Sequence, residues 1–150
     1  MTMTNAIHWP EWVPVVGHQL RLSGVHFDAL RIQGVRGERV AARLIEETDG
    51  DAGPVVCEAV GFRWMYFLVA PGAAAAHEWP LGVQRFGAAR RRTAAYIGVP
   101  ALDGETWPLR WYSEPTPTAP HVDAARLRAA LLGTATEPGA GREGPRSPRP

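Results

Sequence analysis

The residues best suited to chemistry in the first third of this sequence are a histidine and an aspartate. His26 and Asp28 lie two positions apart, so on a strand their side chains would share a face. With His18 they make a candidate set of ligands for one metal ion. Isolated His-x-Asp pairs are more often exposed polar residues of a strand. We therefore expect no metal site at these positions.

The strongest concentration of positive charge is a run of three arginines, Arg90, Arg91 and Arg92, which Arg85 precedes by five residues. Arginine favours planar, bidentate contacts, so the four side chains are candidates to grip a nucleic-acid backbone or a triphosphate. The alternative is a solvated run of charge on a loop, which the net charge of only +1 favours.

Composition limits the class of protein. A chain of 150 residues can fold as one domain around a single core without disulfides. Cys57 is the one cysteine, which excludes an intrachain disulfide and a cysteine-based zinc site and fits a reducing, cytoplasmic setting. The first residues lack the pattern of a signal peptide, and no run of about 18 apolar residues predicts a membrane span.

Hydrophobic periodicity predicts an α+β protein. Partial alternation over Gln19–Ile32 predicts a strand, which Ser23-Gly24 would bend or split. Val40, Leu44 and Ile45 recur at helical spacing and predict a helix over Arg36–Glu47. Two strands should follow, and the second, apolar on both faces, should be central. These strands are Val55–Val60 and Trp64–Ala70.

The last third predicts a hairpin, a helix and a tail. Ala94–Val99 and Leu109–Tyr112 should pair around a turn, and Asp123–Leu132 should form a helix that ends at Gly133. Thr134–Pro150 has no apolar residue beyond alanine, which predicts a disordered tail. The expected fold is a small mixed or antiparallel sheet with one helix after its first strand and one C-terminal helix, in a single domain over residues 1–133.

Four short segments in this order resemble one known domain. They are Ser23–Leu30, Gly61–Phe67, Arg91–Pro100, and the stretch Asp103–Glu105 with Arg110–Pro115. The set is similar to the primase-polymerase (Prim-Pol) domain at the N-terminus of bifunctional DNA primase/polymerases, in a shortened and degenerate form.

The resemblance implies an acidic site of which only a part is present. The family's first strand carries two carboxylates two residues apart, and this chain has Asp28 followed by Leu30. The family's phosphate-contacting histidine is matched by Trp64, and the aspartate of its third landmark is absent. Asp28 and His26 are therefore the candidate remnant of the acidic site, and we expect no catalytic residue and no cofactor.

We accordingly expect a catalytically silent domain that acts by binding nucleic acid or a replication partner, with Arg85, Arg90, Arg91 and Arg92 as the nucleic-acid contacts. One alternative is an active DNA primase/polymerase-type nucleotidyltransferase that uses divalent metal and takes its missing carboxylates from Glu58, Asp49 or Asp51. Another is a protein-interaction adaptor without a nucleic-acid role. No membrane association is expected, and the sequence leaves the oligomeric state open.

Overall fold

The computed structural model describes residues 10–61, 63–88 and 93–142, and within these residues the chain has the expected α+β fold. One helix follows the first strand region and another lies at the C-terminal end, as predicted. No helix in these ranges has the length and apolar character needed to cross a membrane. The elements in chain order are β1 (His18–Leu22), β2 (Asp28–Ile32), α1 (Gly34–Glu47), β3 (Val55–Glu58), β4 (Met65–Val69), α2 (Ala73–Ala76), β5 (Gln84–Phe86), β6 (Tyr96–Pro100), β7 (Leu109–Ser113) and α3 (Ala124–Arg142).

The main sheet has five strands in the order β5-β2-β4-β3-β7, and each neighbouring pair is antiparallel. The central position of β4 confirms the prediction from its continuous apolar sequence. Met65, Phe67 and Val69 face one core, and Leu68 faces another with Tyr66 at its border. Both faces of β4 are therefore covered, as a doubly apolar strand requires.

The predicted strand over Gln19–Ile32 is split into two strands that belong to different sheets. The split falls at Ser23-Gly24, where Gly24 has a φ of +89° and its N–H donates to the Phe27 carbonyl at 2.7 Å. Because this φ lies in the left-handed region, the turn favours glycine. It sends β1 away from the main sheet and lets β2 begin at Asp28.

The late hairpin predicted from Ala94–Val99 and Leu109–Tyr112 is wrong. β6 pairs with β1 in a separate two-stranded ribbon, whereas β7 pairs with β3 at the edge of the main sheet. Ile97 and Val99 of the ribbon are buried in the core that contains Leu68. Burial against the main sheet is thus favoured over pairing with the next strand along the chain.

Helix α1 packs on the opposite face of the sheet from the ribbon. Its stripe of Val40, Ala41 and Leu44 is buried, as the helical spacing predicts. Gly37 lies against β4, and a Cβ at this position would come within 2.5 Å of the Met65 side chain. The lack of a side chain at Gly37 therefore allows the helix to approach the central strand closely.

The sequence predicted that the C-terminal helix ends at Gly133. This is wrong, since the helix continues to Arg142. A Cβ at Gly133 would lie 2.8 Å from Arg43 Nη1, so this glycine makes room for a side chain of α1 instead of ending the helix. Thr134, placed in the tail by the sequence, is buried and accepts a 3.1 Å hydrogen bond from Arg36 Nε. Partial burial lowers the pKa of Arg36. Residues 143–150 of the predicted tail lie outside the described residues.

Candidate ligand-binding cleft at Asp28

A cleft of about 640 Å³ lies where β2 begins. Glycine, alanine and proline form much of its lining, so backbone atoms are accessible over a large part of the wall. Asp28, Arg85 and Thr93 are the lining residues whose side chains carry hydrogen-bonding groups. The cleft therefore combines a carboxylate, a guanidinium and a hydroxyl in one concave site, which is the usual form of a small-ligand or anion site.

Asp28 is only 2% exposed, and its two carboxylate oxygens have different surroundings. Oδ2 accepts hydrogen bonds from the backbone N–H groups of Gly72 at 2.8 Å and Ala74 at 3.1 Å. Oδ1 is buried and has no hydrogen-bond partner among the described residues. A buried oxygen without a donor is costly and uncommon. Asp28 is thus held at the start of α2 through Oδ2.

Arg85 supplies positive charge on the same face of the sheet as Asp28. It lies in β5 opposite Leu30 of β2, and opposed residues of an antiparallel pair share a face. Asp28, two residues before Leu30, is also on this face. The side chain of Arg85 is exposed at the sheet edge and lines the cleft. A phosphate or other anion can therefore reach this guanidinium from solvent.

Gly87 and Thr93 line a wall of the cleft that sequence reasoning did not identify, and the buried Ser23 is hydrogen-bonded to Gly87. Ser23 Oγ donates to the Gly87 carbonyl at 2.7 Å and accepts from the Ala95 N–H at 3.0 Å. A Cβ at Gly87 would lie 3.3 Å from Thr93 Oγ1 and 3.5 Å from Asp28 Oδ2. The one signal in the sequence for this wall is the Ser23-Gly24 pair, which was interpreted as a break in a strand and as the start of the first segment of the Prim-Pol resemblance.

The structure does not bring His26 or His18 together with the Asp28 carboxylate. His26 is exposed in the turn before β2, and its carbonyl lies 2.9 Å from His121 Nε2. His18 lies at the far end of β1, opposite Pro100. In the part of the chain that the structure describes, no group of three or more His, Cys, Asp or Glu is placed to hold a metal ion. Arg90, Arg91 and Arg92 lie outside the described residues.

The acidic residues named for an active enzyme lie away from the cleft or are already engaged. Glu58 N–H bonds the Trp64 carbonyl, whereas Asp28 is opposite Val69 at the other end of β4. Five residues of extended strand separate these positions by roughly 16 Å. Asp51 accepts hydrogen bonds from the hydroxyls of Thr116 and Thr118, which lower its pKa, and it lines a different cavity.

Asp49 follows α1 as an exposed residue with a φ of 54°. It is not among the residues that line the Asp28 cleft. Leu30, which the resemblance matches with the second carboxylate of a Prim-Pol site, is fully buried in the core.

Comparisons of the chain with protein-family models, with curated proteins and with solved structures gave no match, so its function is inferred from the residues of the cleft.

Proposed function

We propose that this chain is a Prim-Pol-like domain that binds nucleic acid and carries out no nucleotidyl transfer. The contacts are made by four arginines that we call the basic edge: Arg85, Arg90, Arg91 and Arg92. The observation that carries the proposal is the exposed guanidinium of Arg85 on edge strand β5, at the lining of a cleft with accessible backbone. Three further arginines follow five to seven residues later in the chain. The four arginines supply positive charge for phosphate contacts. This charge is concentrated in one segment, although the net charge of the whole chain is only +1.

The carboxylate content of the cleft supports binding over catalysis. Nucleotidyl transfer with two metal ions needs at least two carboxylates within a few ångströms of each other. Asp28 is the one carboxylate among the described residues that line the cleft. One of its oxygens already accepts two backbone hydrogen bonds. The described lining of the cleft therefore lacks the acidic pair that the reaction needs.

The proposal is tested by the affinity for DNA as a function of salt concentration, measured without divalent metal. We expect the parent protein to bind single- and double-stranded DNA at low salt, with an affinity that falls as salt rises. Replacing Arg85, Arg90, Arg91 and Arg92 together by alanine should weaken binding to every sequence alike and flatten the salt dependence, because backbone contacts carry no base information.

The single variant Arg85→Ala should weaken DNA binding in the same direction, and Arg110→Ala is its matched control. Arg110 is an exposed arginine on β7, which forms the opposite edge of the same sheet, so this variant also removes one positive charge but away from the cleft. Its affinity for DNA should stay near that of the parent. A parent that binds neither form of DNA at low salt contradicts the proposal and favours the protein-interaction adaptor. Binding of a nucleoside triphosphate only in the presence of divalent metal favours the active enzyme.

A further inference from the structure

A second group of partly exposed residues lies on the sheet face opposite the Asp28 cleft. We call it the aromatic corner. The pairing of the strands brings its members together. Arg31 of β2 is opposite Tyr66 of β4 on one side and opposite Gln84 of β5 on the other. Phe86 follows Gln84 by two residues and therefore lies on the same face. Trp64 precedes Tyr66 by two residues and continues the same face. The aromatic corner consists of Arg31, Trp64, Tyr66, Gln84 and Phe86.

The centre of this sheet face is a closed apolar core. Ala29, Val56 and Leu68 are fully buried beneath the ribbon residues Ile97 and Val99. The four large side chains of the aromatic corner are each only partly buried, and Gln84 is exposed. At the corner, aromatic surface and a charged group are thus accessible together.

Arg31 is held at the corner by stacking. Its guanidinium carbon lies 4.2 Å from the centroid of the Trp64 ring and 5.6 Å from that of Phe86. One terminal nitrogen donates to the side-chain carbonyl of Gln84. Arg31 Nε is buried and has no acceptor among the described residues. The guanidinium therefore lies over the Trp64 ring and near the Phe86 ring, and its attraction to the two rings offsets part of the cost of an Nε that lacks an acceptor.

This arrangement matches the chemistry of an unpaired nucleobase. Bases that are not paired stack on aromatic rings and on guanidinium planes, and the adjoining phosphates favour a nearby cation. Bases within a duplex already stack on each other and cannot use such a surface. The charge of Arg31 favours a polyanionic strand over a basic or purely apolar partner.

The aromatic corner and the basic edge are adjacent because they share one short strand. In β5, Gln84 and Phe86 point to the corner, and Arg85 between them points to the cleft. β5 is an edge strand, so a flexible chain can cross it from one face to the other. A single strand can thus place phosphates at Arg85 while it stacks bases on the opposite face.

We propose that the aromatic corner binds the unpaired bases of single-stranded nucleic acid, an inference that rests on the proposed nucleic-acid function. Trp64 and Phe86 supply the ring faces, and Arg31 supplies a stacked cation. The corner gives the protein a preference for single strands, whereas the arginines of the basic edge contact single and double strands alike.

The experiment compares the binding of a fluorescently labelled single-stranded oligonucleotide with that of its own duplex. The parent should bind the single strand more tightly. Trp64→Leu should lower the affinity for the single strand by roughly tenfold, as expected for the loss of one stacked base, and should leave the affinity for the duplex unchanged. Trp64→Phe retains an aromatic ring and should restore most of the lost affinity.

Two further variants guard against indirect effects. Phe86→Leu should reproduce the selective loss, and it replaces Trp64→Leu if circular dichroism shows that variant to be unfolded. Tyr96→Leu removes an aromatic side chain that is 66% exposed on β6, outside the corner, and should bind as the parent does.

The outcomes separate the two proposals. Equal affinity of the parent for single strand and duplex, or a folded Trp64→Leu and Phe86→Leu that bind the single strand as the parent does, overturns the stacking site and leaves the basic edge intact. A parent that binds neither form overturns both, and the corner then becomes a candidate surface for a protein partner.

Discussion

Ser23 and Gly87 lie 64 residues apart in the chain and are joined by a 2.7 Å hydrogen bond from the Ser23 hydroxyl to the Gly87 carbonyl. The same hydroxyl accepts from the N–H of Ala95, and Ser23 is 1% exposed. Gly87 and Ala95 flank Arg90, Arg91 and Arg92 in the sequence. One buried hydroxyl therefore ties both ends of the basic segment to the turn that precedes Asp28.

Ser23→Ala should destabilise the protein by about 1–3 kcal/mol, because it leaves the buried carbonyl of Gly87 and the partly buried N–H of Ala95 without their partner. The free energy of unfolding in urea measures the change. Ser113→Ala, on β7 away from this turn, is the control and should cost less. A loss for Ser23→Ala below about 0.5 kcal/mol would mean that water replaces the hydroxyl and that the wall of the cleft does not depend on it.

Gly24→Ala tests the turn that separates β1 from β2. Gly24 has a φ of +89°, and a Cβ there would lie 2.6 Å from the Cα of Ala88. Gly104→Ala is a matched control, since Gly104 has a φ of +81° with nothing within 4 Å. Both variants place alanine at a positive φ, which costs roughly 1–2 kcal/mol. Any further decrease in the free energy of unfolding of Gly24→Ala therefore reports the clash with Ala88 alone. Equal losses in urea unfolding would show that Ala88 moves away without cost.

The sequence predicted the positions of helices and strands better than it predicted which strands pair with each other. The helix at Gly34–Glu47 and the central strand at Met65–Val69 have strong local periodicity, and both were found close to the expected positions. β5 was missed because three residues, Gln84-Arg85-Phe86, show neither alternation nor an apolar run. The pairing of β6 with β1 across more than 70 residues is set by burial of Ile97 and Val99, which no local pattern encodes.

The same limit applies to the site. Asp28 was identified from its place in a resemblance, but its hydrogen-bond donors, Gly72 and Ala74, lie 44 and 46 residues away in an unremarkable Gly-Ala segment. The stacking of Arg31 on Trp64 likewise joins two strands, and Trp64 was interpreted from the sequence as a core residue. Chemistry assembled from distant segments requires the tertiary structure, whereas single polar residues in apolar strands can be recognised in advance.

The acid dependence of stability should include a contribution from Asp51. The hydroxyl of Thr116, followed by that of Thr118, lowers the pKa of this carboxyl below its ordinary value. A group with a depressed folded-state pKa stabilises the fold above its unfolded pKa, and this stabilisation is lost as pH falls through the folded pKa. Replacing both threonines by valine should raise the pKa of Asp51, as measured by NMR titration of its carboxyl carbon. An unchanged pKa would show that the two hydroxyls turn to solvent.

Asp28 is a structural hydrogen-bond acceptor under one functional hypothesis and a metal ligand under the other. Asp28→Asn distinguishes these two roles. The amide retains one oxygen that can accept from Gly72 and Ala74, so stability should change by less than about 1 kcal/mol. Asp28→Ala leaves both backbone N–H groups without their acceptor and should cost about 2 kcal/mol more. Urea unfolding of the two variants measures this difference. Equal losses would show that the two backbone N–H groups find other acceptors.

The same asparagine variant should affect DNA binding in opposite directions under the two functional hypotheses. If the cleft binds phosphates through Arg85, removing the nearby carboxylate reduces repulsion and should strengthen DNA binding by up to about 1 kcal/mol at low salt, less as salt rises. If Asp28 instead ligates a divalent ion in an active enzyme, the variant should lose metal-dependent binding of a nucleoside triphosphate. Salt-dependent DNA titrations without metal, beside triphosphate titrations with Mg²⁺, measure both effects on one protein. A weaker affinity of Asp28→Asn for DNA would contradict the proposed phosphate contact at Arg85.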